Sequence, residues 1–324
     1  MPVSLSSTAS SSHDGAAGPA PFKALALPAL FLVLAGVAPA MSDYALEIGF
    51  RLLLLVTLAE AWNLLAGYGG LVCLGTASFV GVGAYAFTGL ANTDVPFALA
   101  VVGGGVAAAL LAAAVSRAVF RLRGLYFTVG TLALAEALRL FMINFGGFGG
   151  ASGLILKPDP PSTRALYWIA LALATVTTVV MTAATRTRFS ILLRSVRDDE
   201  DAAAQIGVRA FAVKLIAFVV ASVLMGMAGG VQALKVGAVE PYGMFGIQWT
   251  IDVLSIVIIG GQGLRAGPVV GAVFVLALSE GLSDYPALHL AITGLILIVV
   301  IRFAPQGLVG LAQRVLTKRR GGLQ

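Results

Sequence analysis

Ten long apolar runs leave this chain few ways to fold; they lie at about 24–41, 45–66, 68–90, 96–120, 122–145, 165–184, 211–235, 247–262, 266–283 and 286–303. Most reach the ~20 helical residues that a hydrocarbon layer requires. In lipid every peptide group must find its hydrogen-bond partner within the segment or in a closed barrel. These runs of Leu, Val, Ala and Ile lack the two-residue alternation of a barrel strand, so helices follow. The 324 residues are 59% hydrophobic and 11% charged, with a mean hydropathy of +0.96. The expected fold is an all-α membrane protein, a polytopic helical bundle of about ten transmembrane segments. The 247–262 run is short and is expected to be partial.

The basic residues orient that bundle. With ten spans, and the polar stretch 185–210 on the cytoplasmic side, the loops at 117–123 and 265 and both termini fall on that side too. Sixteen of the 21 Lys and Arg then lie inside: Lys23, Arg117, Arg121, Arg123, Arg186, Arg188, Arg194, Arg197, Arg209, Lys214, Arg265, Arg302, Arg314, Lys318, Arg319 and Arg320. Only Lys157, Arg164 and Lys235 fall outside, while Arg51 and Arg139 fall within spans. This is the bias expected of an inner-membrane protein. The net charge of +6 therefore needs no nucleic-acid partner to explain it.

Residues 1–22, rich in Ser, Ala, Pro and Gly, bury too little apolar surface to offset the entropy of ordering and read as a flexible tail. Residues 23–305 are expected to form the transmembrane domain and 306–324 a basic cytoplasmic C-terminal tail. Val37-Ala38-Pro39-Ala40 resembles a cleavage site, but with Lys23 as the only preceding positive charge an uncleaved first span is the preferred reading. Cys73 is the single cysteine, so no internal disulfide forms. His13 and His289 make no metal cluster with it, and no cofactor is implied. P-loop, nucleophile-elbow and phosphate-binding glycine patterns are absent from the sequence.

Six ionisable residues lie in the runs: Arg51, Glu60, Glu136, Arg139, Asp252 and Glu280. Each costs several kcal/mol at mid-bilayer, so each must face protein, water or a counter-charge. Glu136 and Arg139, three apart, can neutralise one another on one helix. Structural pairing and a place in a translocation path fit that spacing equally. Asp252 and Glu280 read as interfacial groups that reach water. Glycine interrupts the runs at Ala66-Gly67-Tyr68-Gly69-Gly70 and at Gly260-Gly261-Gln262-Gly263, which fits either a substrate path or close helix packing. Asn63, Gly67, Gly70, Cys73, Thr76 and Glu136 are the candidate path residues.

The polar stretch carries its own helix signals. Ser195 is the candidate N-cap, Asp198 to Asp201 place negative charge in the first turn, and Gly207 is the candidate stop. From the local pattern alone, a solvated loop and a docking surface both remain open.

Taken together, Trp62-Asn63-Leu64-Leu65-Ala66-Gly67-Tyr68-Gly69-Gly70-Leu71-Val72-Cys73-Leu74-Gly75-Thr76-Ala77-Ser78-Phe79, Leu122-Arg123-Gly124-Leu125-Tyr126-Phe127-Thr128 and Leu132-Ala133-Leu134-Ala135-Glu136-Ala137-Leu138-Arg139 resemble the membrane subunits of branched-chain amino acid ABC importers. The resemblance continues through Arg194, Arg197, Asp199, Glu200, Ala202, Ala203 and Gly207, then Lys214, Ala217, Phe218 and Ala228-Gly229-Gly230. It ends with Gly260-Gly261-Gln262-Gly263, Gly267-Pro268, Gly271 and Pro305-Gln306-Gly307-Leu308. It covers roughly 45–311 and is closer to the M-type than the H-type subunit.

The resemblance implies a permease with four kinds of partner: membrane lipid, a second related permease, two cytoplasmic ATPases and an extracytoplasmic solute-binding protein. It also implies that Arg194, Arg197, Asp199, Glu200, Ala203 and Gly207 belong to a coupling helix seated on an ATPase. The chain itself is then no enzyme. Leu71, Cys73 and Thr76 depart from the usual glutamine, serine and histidine, which leaves the substrate open between branched-chain amino acids, urea and amides. The rival reading is a self-contained, proton-coupled secondary transporter or channel in which Glu60 or Glu136 carries the proton.

Overall fold

The computed structural model describes Leu34, Gly36 and residues 41–282, 286–303 and 306–321. The expected tail 1–22 and nearly all of the first apolar run lie outside the described residues. Helix α1 (Asp43–Asn63) starts at Ser42, whose side chain accepts from the Ala45 N–H at 3.3 Å. It continues into a π-helical turn, Leu64–Tyr68. Every residue from 53 to 69 is buried, and α1 is the mast about which the bundle is built.

Around it stand α2 (Thr76–Ala91), α3 (Phe97–Val119), α4 (Leu125–Asn144), α5 (Thr163–Arg186) and α8 (Ala210–Val236), with α10 (Gln248–Gly260) and α11 (Gly267–Gly281). Short α6 (Arg188–Asp198) and α7 (Glu200–Gln205) lie between α5 and α8, and α9 (Pro241–Met244) precedes α10. The chain continues through α12 (Pro286–Phe303) to α13 (Gly307–Gly321), so a helix occupies most of the expected C-terminal tail.

α1 packs on α5, α8, α10 and α11, while α2, α3 and α8 form a second group. That group is closed by small residues. A Cβ on Gly83 would run into the Gly226 carbonyl, and one on Gly104 would sit 2.7 Å from the Gly83 oxygen. Without these side chains the backbones come close enough for dispersion to act over their full length, which is how membrane helices associate when lipid is as apolar as the helix.

Six described helical segments are long and apolar enough to cross a membrane: Asp43–Tyr68, Phe97–Val119, Leu125–Asn144, Thr163–Arg186, Ala210–Val236 and Pro241–Gly260. Thr76–Ala91 and Gly267–Gly281 are shorter apolar helices. That count covers the described residues only, which leave out nearly all of the first expected run. In the third run the inner part, Gly69–Gly75, is unwound, and glycine-rich turns trim the ninth.

At one end of the bundle, β1 (Leu154–Ile155) pairs antiparallel with β2 (Ala238–Val239), Leu154 opposite Val239. Asn92 locks this clasp, accepting from the Lys157 N–H at 2.8 Å and donating to the Ile155 carbonyl at 3.0 Å. Glu280 accepts from Tyr44 at 2.9 Å and stands 4.0 Å from Arg51, and Lys235 pairs with Glu47. At the other end the loops near 121, 187–209 and 265 meet. Arg123 lies 3.8 Å from Asp201, and Arg265 donates to Thr185 at 2.6 Å and to the Thr182 carbonyl at 3.0 Å.

Candidate functional site

The polar stretch forms a bent pair of helices rather than one. Phe189, Leu193 and Val196 keep an apolar stripe at helical spacing, with Leu193 and Val196 fully buried, so α6 runs through the position expected to start a helix. Ser195 is therefore no cap: it lies within α6 and its hydroxyl donates to the Leu192 carbonyl at 2.9 Å. The cap is Asp199, extended at φ −157°, whose Oδ1 accepts from the Asp201 and Ala202 N–H groups at 3.0 and 2.9 Å. Its short side chain satisfies two of the donors that a helix start leaves without partners. Gly207, at φ +85°, ends α7 in the left-handed region.

The elbow is held from within. Glu200 accepts from Lys214 of α8 at 2.5 Å, and Arg197 pairs with its neighbour Asp198 at 2.8 Å. Ala203 is buried against the chain itself, only 3% exposed, so it anchors the elbow and does not face outward. The outward surface is Ile191, Ala202, Ile206 and the acidic side chains between them. Ile206 is 78% exposed.

Behind the elbow sits the first glycine break. Arg197 Nη1 donates to the Gly67 carbonyl at 3.0 Å, the Arg194 guanidinium lies 5.1 Å from the Tyr68 ring centre, and Leu193 packs on Gly69. Gly70, at φ +67°, lets the Arg197 stem cross directly over the backbone. The second break is fastened to the first. Asn63 accepts from the Gly263 N–H at 2.8 Å and donates to the Leu264 carbonyl at 3.2 Å, while Gln262 donates to the Ala66 carbonyl at 2.9 Å. Asn63, Gly67 and Gly70 thus build a joint between chain segments, and Asn63 also lines the small void beside Glu60.

From Gly69 to Gly75 the backbone leaves the helix and is satisfied by side chains, as apolar surroundings demand. Trp62 donates to the Cys73 carbonyl at 2.7 Å and Thr128 to that of Val72 at 3.0 Å. Thr131 accepts from the Leu74 N–H at 3.0 Å, and Thr250 donates to the Leu74 carbonyl at 3.1 Å. Across from it, Phe245–Ile247 interrupts the last long span between α9 and α10.

The two interruptions flank a cleft of about 450 Å³ lined by Leu74, Ala77, Leu132, Ala135, Glu136, Arg139, Tyr242, Phe245, Gly246, Ile247 and Thr250. Glu136 and Arg139 form a two-point ion pair there, with Nε to Oε2 at 2.9 Å. Arg139 Cζ lies 5.2 Å from the Tyr242 ring centre. Broken spans facing a cavity are where membrane transporters place their solutes.

Of the candidate path residues, Glu136 lines this cleft. Cys73 and Thr76, fully buried, stand behind its wall at Leu74 and Ala77. Tyr242, Phe245 and Thr250 were not singled out from the sequence. Gly243 and Gly246, just ahead of the short 247–262 run, were the available signal. Glu60 lies elsewhere, buried beneath Thr178 (2.9 Å) beside a void of about 20 Å³ shared with Tyr68 and Arg265. Among the described residues no group of His, Cys, Asp and Glu is placed to hold a metal.

The family profile described as "Branched-chain amino acid transport system / permease component" matches residues 44–301, which include the joint, the cleft and the elbow. The high-affinity branched-chain amino acid transport system permease protein LivM of Escherichia coli strain K12 is 26% identical over 90% of this chain and 76% of its own length. Its counterpart in Salmonella typhimurium strain LT2 shows the same identity and coverage. No solved structure gives a significant match. The extent of the family match, across four-fifths of the residues and all of the site, places this chain in the branched-chain amino acid transport permease family.

Proposed function

We propose that this chain is the transmembrane permease subunit of an ATP-binding-cassette importer that carries branched-chain or related amino acids into the cytoplasm. It works beside a second related permease, two cytoplasmic ATPases and an extracytoplasmic solute-binding protein. Both chain ends and the α6–α7 elbow face the cytoplasm in this reading, and the protein resides in the inner membrane. The elbow, including Arg194, Arg197, Asp199, Glu200, Ala203 and Gly207, is the coupling element. Ile206 and the acidic rim meet the ATPase, while Ala203, Glu200 and Gly207 keep the elbow in shape.

The observation that carries this reading is a continuous physical connection from elbow to cleft. Arg197 holds Gly67, the chain passes from there through Gly70 to Leu74, and Leu74 forms a wall of the cleft. A displaced ATPase groove moves α6, and the unwound Gly69–Gly75 is the compliant element that can transmit the displacement between two packings. The test is Ile206→Glu in the complete importer. Normal membrane abundance with loss of ATPase co-purification is expected; unchanged co-purification and uptake would remove the coupling assignment.

A self-contained proton-coupled carrier is the second reading, favoured by the burial of Glu60 beside a small void. Proteoliposomes holding only this chain distinguish the two. The carrier takes up leucine on an imposed proton gradient, and the importer subunit does not.

A further inference from the structure

Glu136 and Arg139 occupy an unusual position for a structural ion pair. Both belong to α4, so their bond joins no second element, and Glu136 is 53% exposed at its side chain. As a purely structural pair it cross-links nothing, while two charged groups at membrane depth cost several kcal/mol. The pair also opens on a cleft whose other walls are mostly apolar, Leu74, Ala77, Phe245 and Ile247 among them, with Tyr242 and Thr250 the further polar side chains.

The unused valences have a definite chemistry. Arg139 spends two N–H groups on Glu136 and has a fork of five, leaving donors for another carboxylate. The Glu136 oxygens retain lone pairs that can accept from an ammonium. We propose that Glu136 and Arg139 form a zwitterion-binding site in this cleft, Arg139 taking the carboxylate and Glu136 the ammonium of an α-amino acid, while the apolar walls take an aliphatic side chain. This assignment rests on the permease reading given above.

Charge balance makes the site selective. The paired residues carry no net charge, so a ligand bearing both signs adds to the cluster without leaving an uncompensated charge in a low-dielectric cleft. A free acid or an amine leaves one, which is strongly unfavourable away from water. A neutral amide or urea gains no charge-assisted contact. Tyr242, whose ring centre lies 5.2 Å from the Arg139 Cζ, adds a cation–π contact that helps hold the guanidinium at the cleft.

The experiment uses the complete importer in proteoliposomes with leucine as the probe, and compares Glu136→Gln, Arg139→Gln and the exchange Glu136→Arg/Arg139→Glu. Both single variants are expected to lower leucine uptake at least tenfold. The exchanged pair keeps neutrality and intrahelical bonding, so it is expected to assemble as the parent does while uptake stays low, because the two poles are reversed. Recovery of uptake in the exchanged variant overturns the proposal and leaves the pair as structural, as does parental uptake in the single variants. Loss of the assembled complex in all three overturns it too. If instead the parent complex takes up no leucine on ATP, the permease reading itself has failed.

Discussion

The guanidinium of Arg197 donates to the carbonyl oxygen of Gly67 across 3.0 Å, joining a helix outside the bundle to the π turn at the foot of its central mast. A charged donor on a backbone acceptor is stronger than a neutral one, and this acceptor belongs to the segment that leads directly into the cleft wall. Arg197→Ala is therefore expected to leave insertion and ATPase association intact while lowering leucine uptake per ATP hydrolysed severalfold. Uptake and phosphate release measured on one preparation check this. An unchanged ratio shows that the contact transmits nothing.

Asn63 uses both ends of its amide to hold Gly263 and Leu264. Replacing it with leucine leaves a part-buried N–H and a part-buried carbonyl without this partner, at up to about 1–3 kcal/mol each. A lower unfolding temperature in detergent is expected for Asn63→Leu, with Asn63→Asp intermediate because it keeps the acceptor toward Gly263. Equal stability of the leucine variant and the parent would contradict the joint.

Gly226 stands at a close approach within the α2–α3–α8 group, since an added Cβ would sit 2.5 Å from the Ala108 Cβ and 2.7 Å from the Gly104 carbonyl. Gly226→Val must spread three helices and is expected to cost about 1–3 kcal/mol or more, seen as reduced folded yield. Gly281→Ala serves as the control, because open space surrounds that position. Similar yields from both would mean that the close approach contributes nothing to folding.

The clasp end and the elbow end of the bundle are expected on opposite sides of the membrane. Cysteines placed at Asp159 and at Gln205, both exposed, in a Cys73→Ala background should react with an impermeant maleimide from opposite faces. Reaction of both from one face refutes the proposed sidedness.

Helicity, membrane residence and the gathering of loops at 121, 187–209 and 265 were legible in the sequence because they depend on composition and charge placement along the chain. Solvation alone decides them: lipid forbids unpaired peptide groups, and basic side chains stay with the aqueous phase. The pairing of Glu136 with Arg139 was legible for a similar reason, since one helical turn brings them together wherever the helix lies. The start of the elbow helix was misplaced at Ser195 because capping signals are local and weak. The stripe of Phe189, Leu193 and Val196, with Leu193 and Val196 fully buried, overrides them.

Tertiary structure alone decided what the glycine breaks are for. Gly67 and Gly263 lie far apart in sequence, and no spacing rule tells that Asn63 sews their segments into a joint. The same holds for Ala203, whose small side chain fits a free surface or a buried anchor equally until α8 is placed against it. The cleft beside Glu136 exists because two segments distant in the chain, Gly69–Gly75 and Phe245–Ile247, are unwound at the same depth. Hydropathy cannot register that coincidence, because an unwound apolar stretch and a helical one have the same composition and differ only in where their backbone hydrogen bonds go.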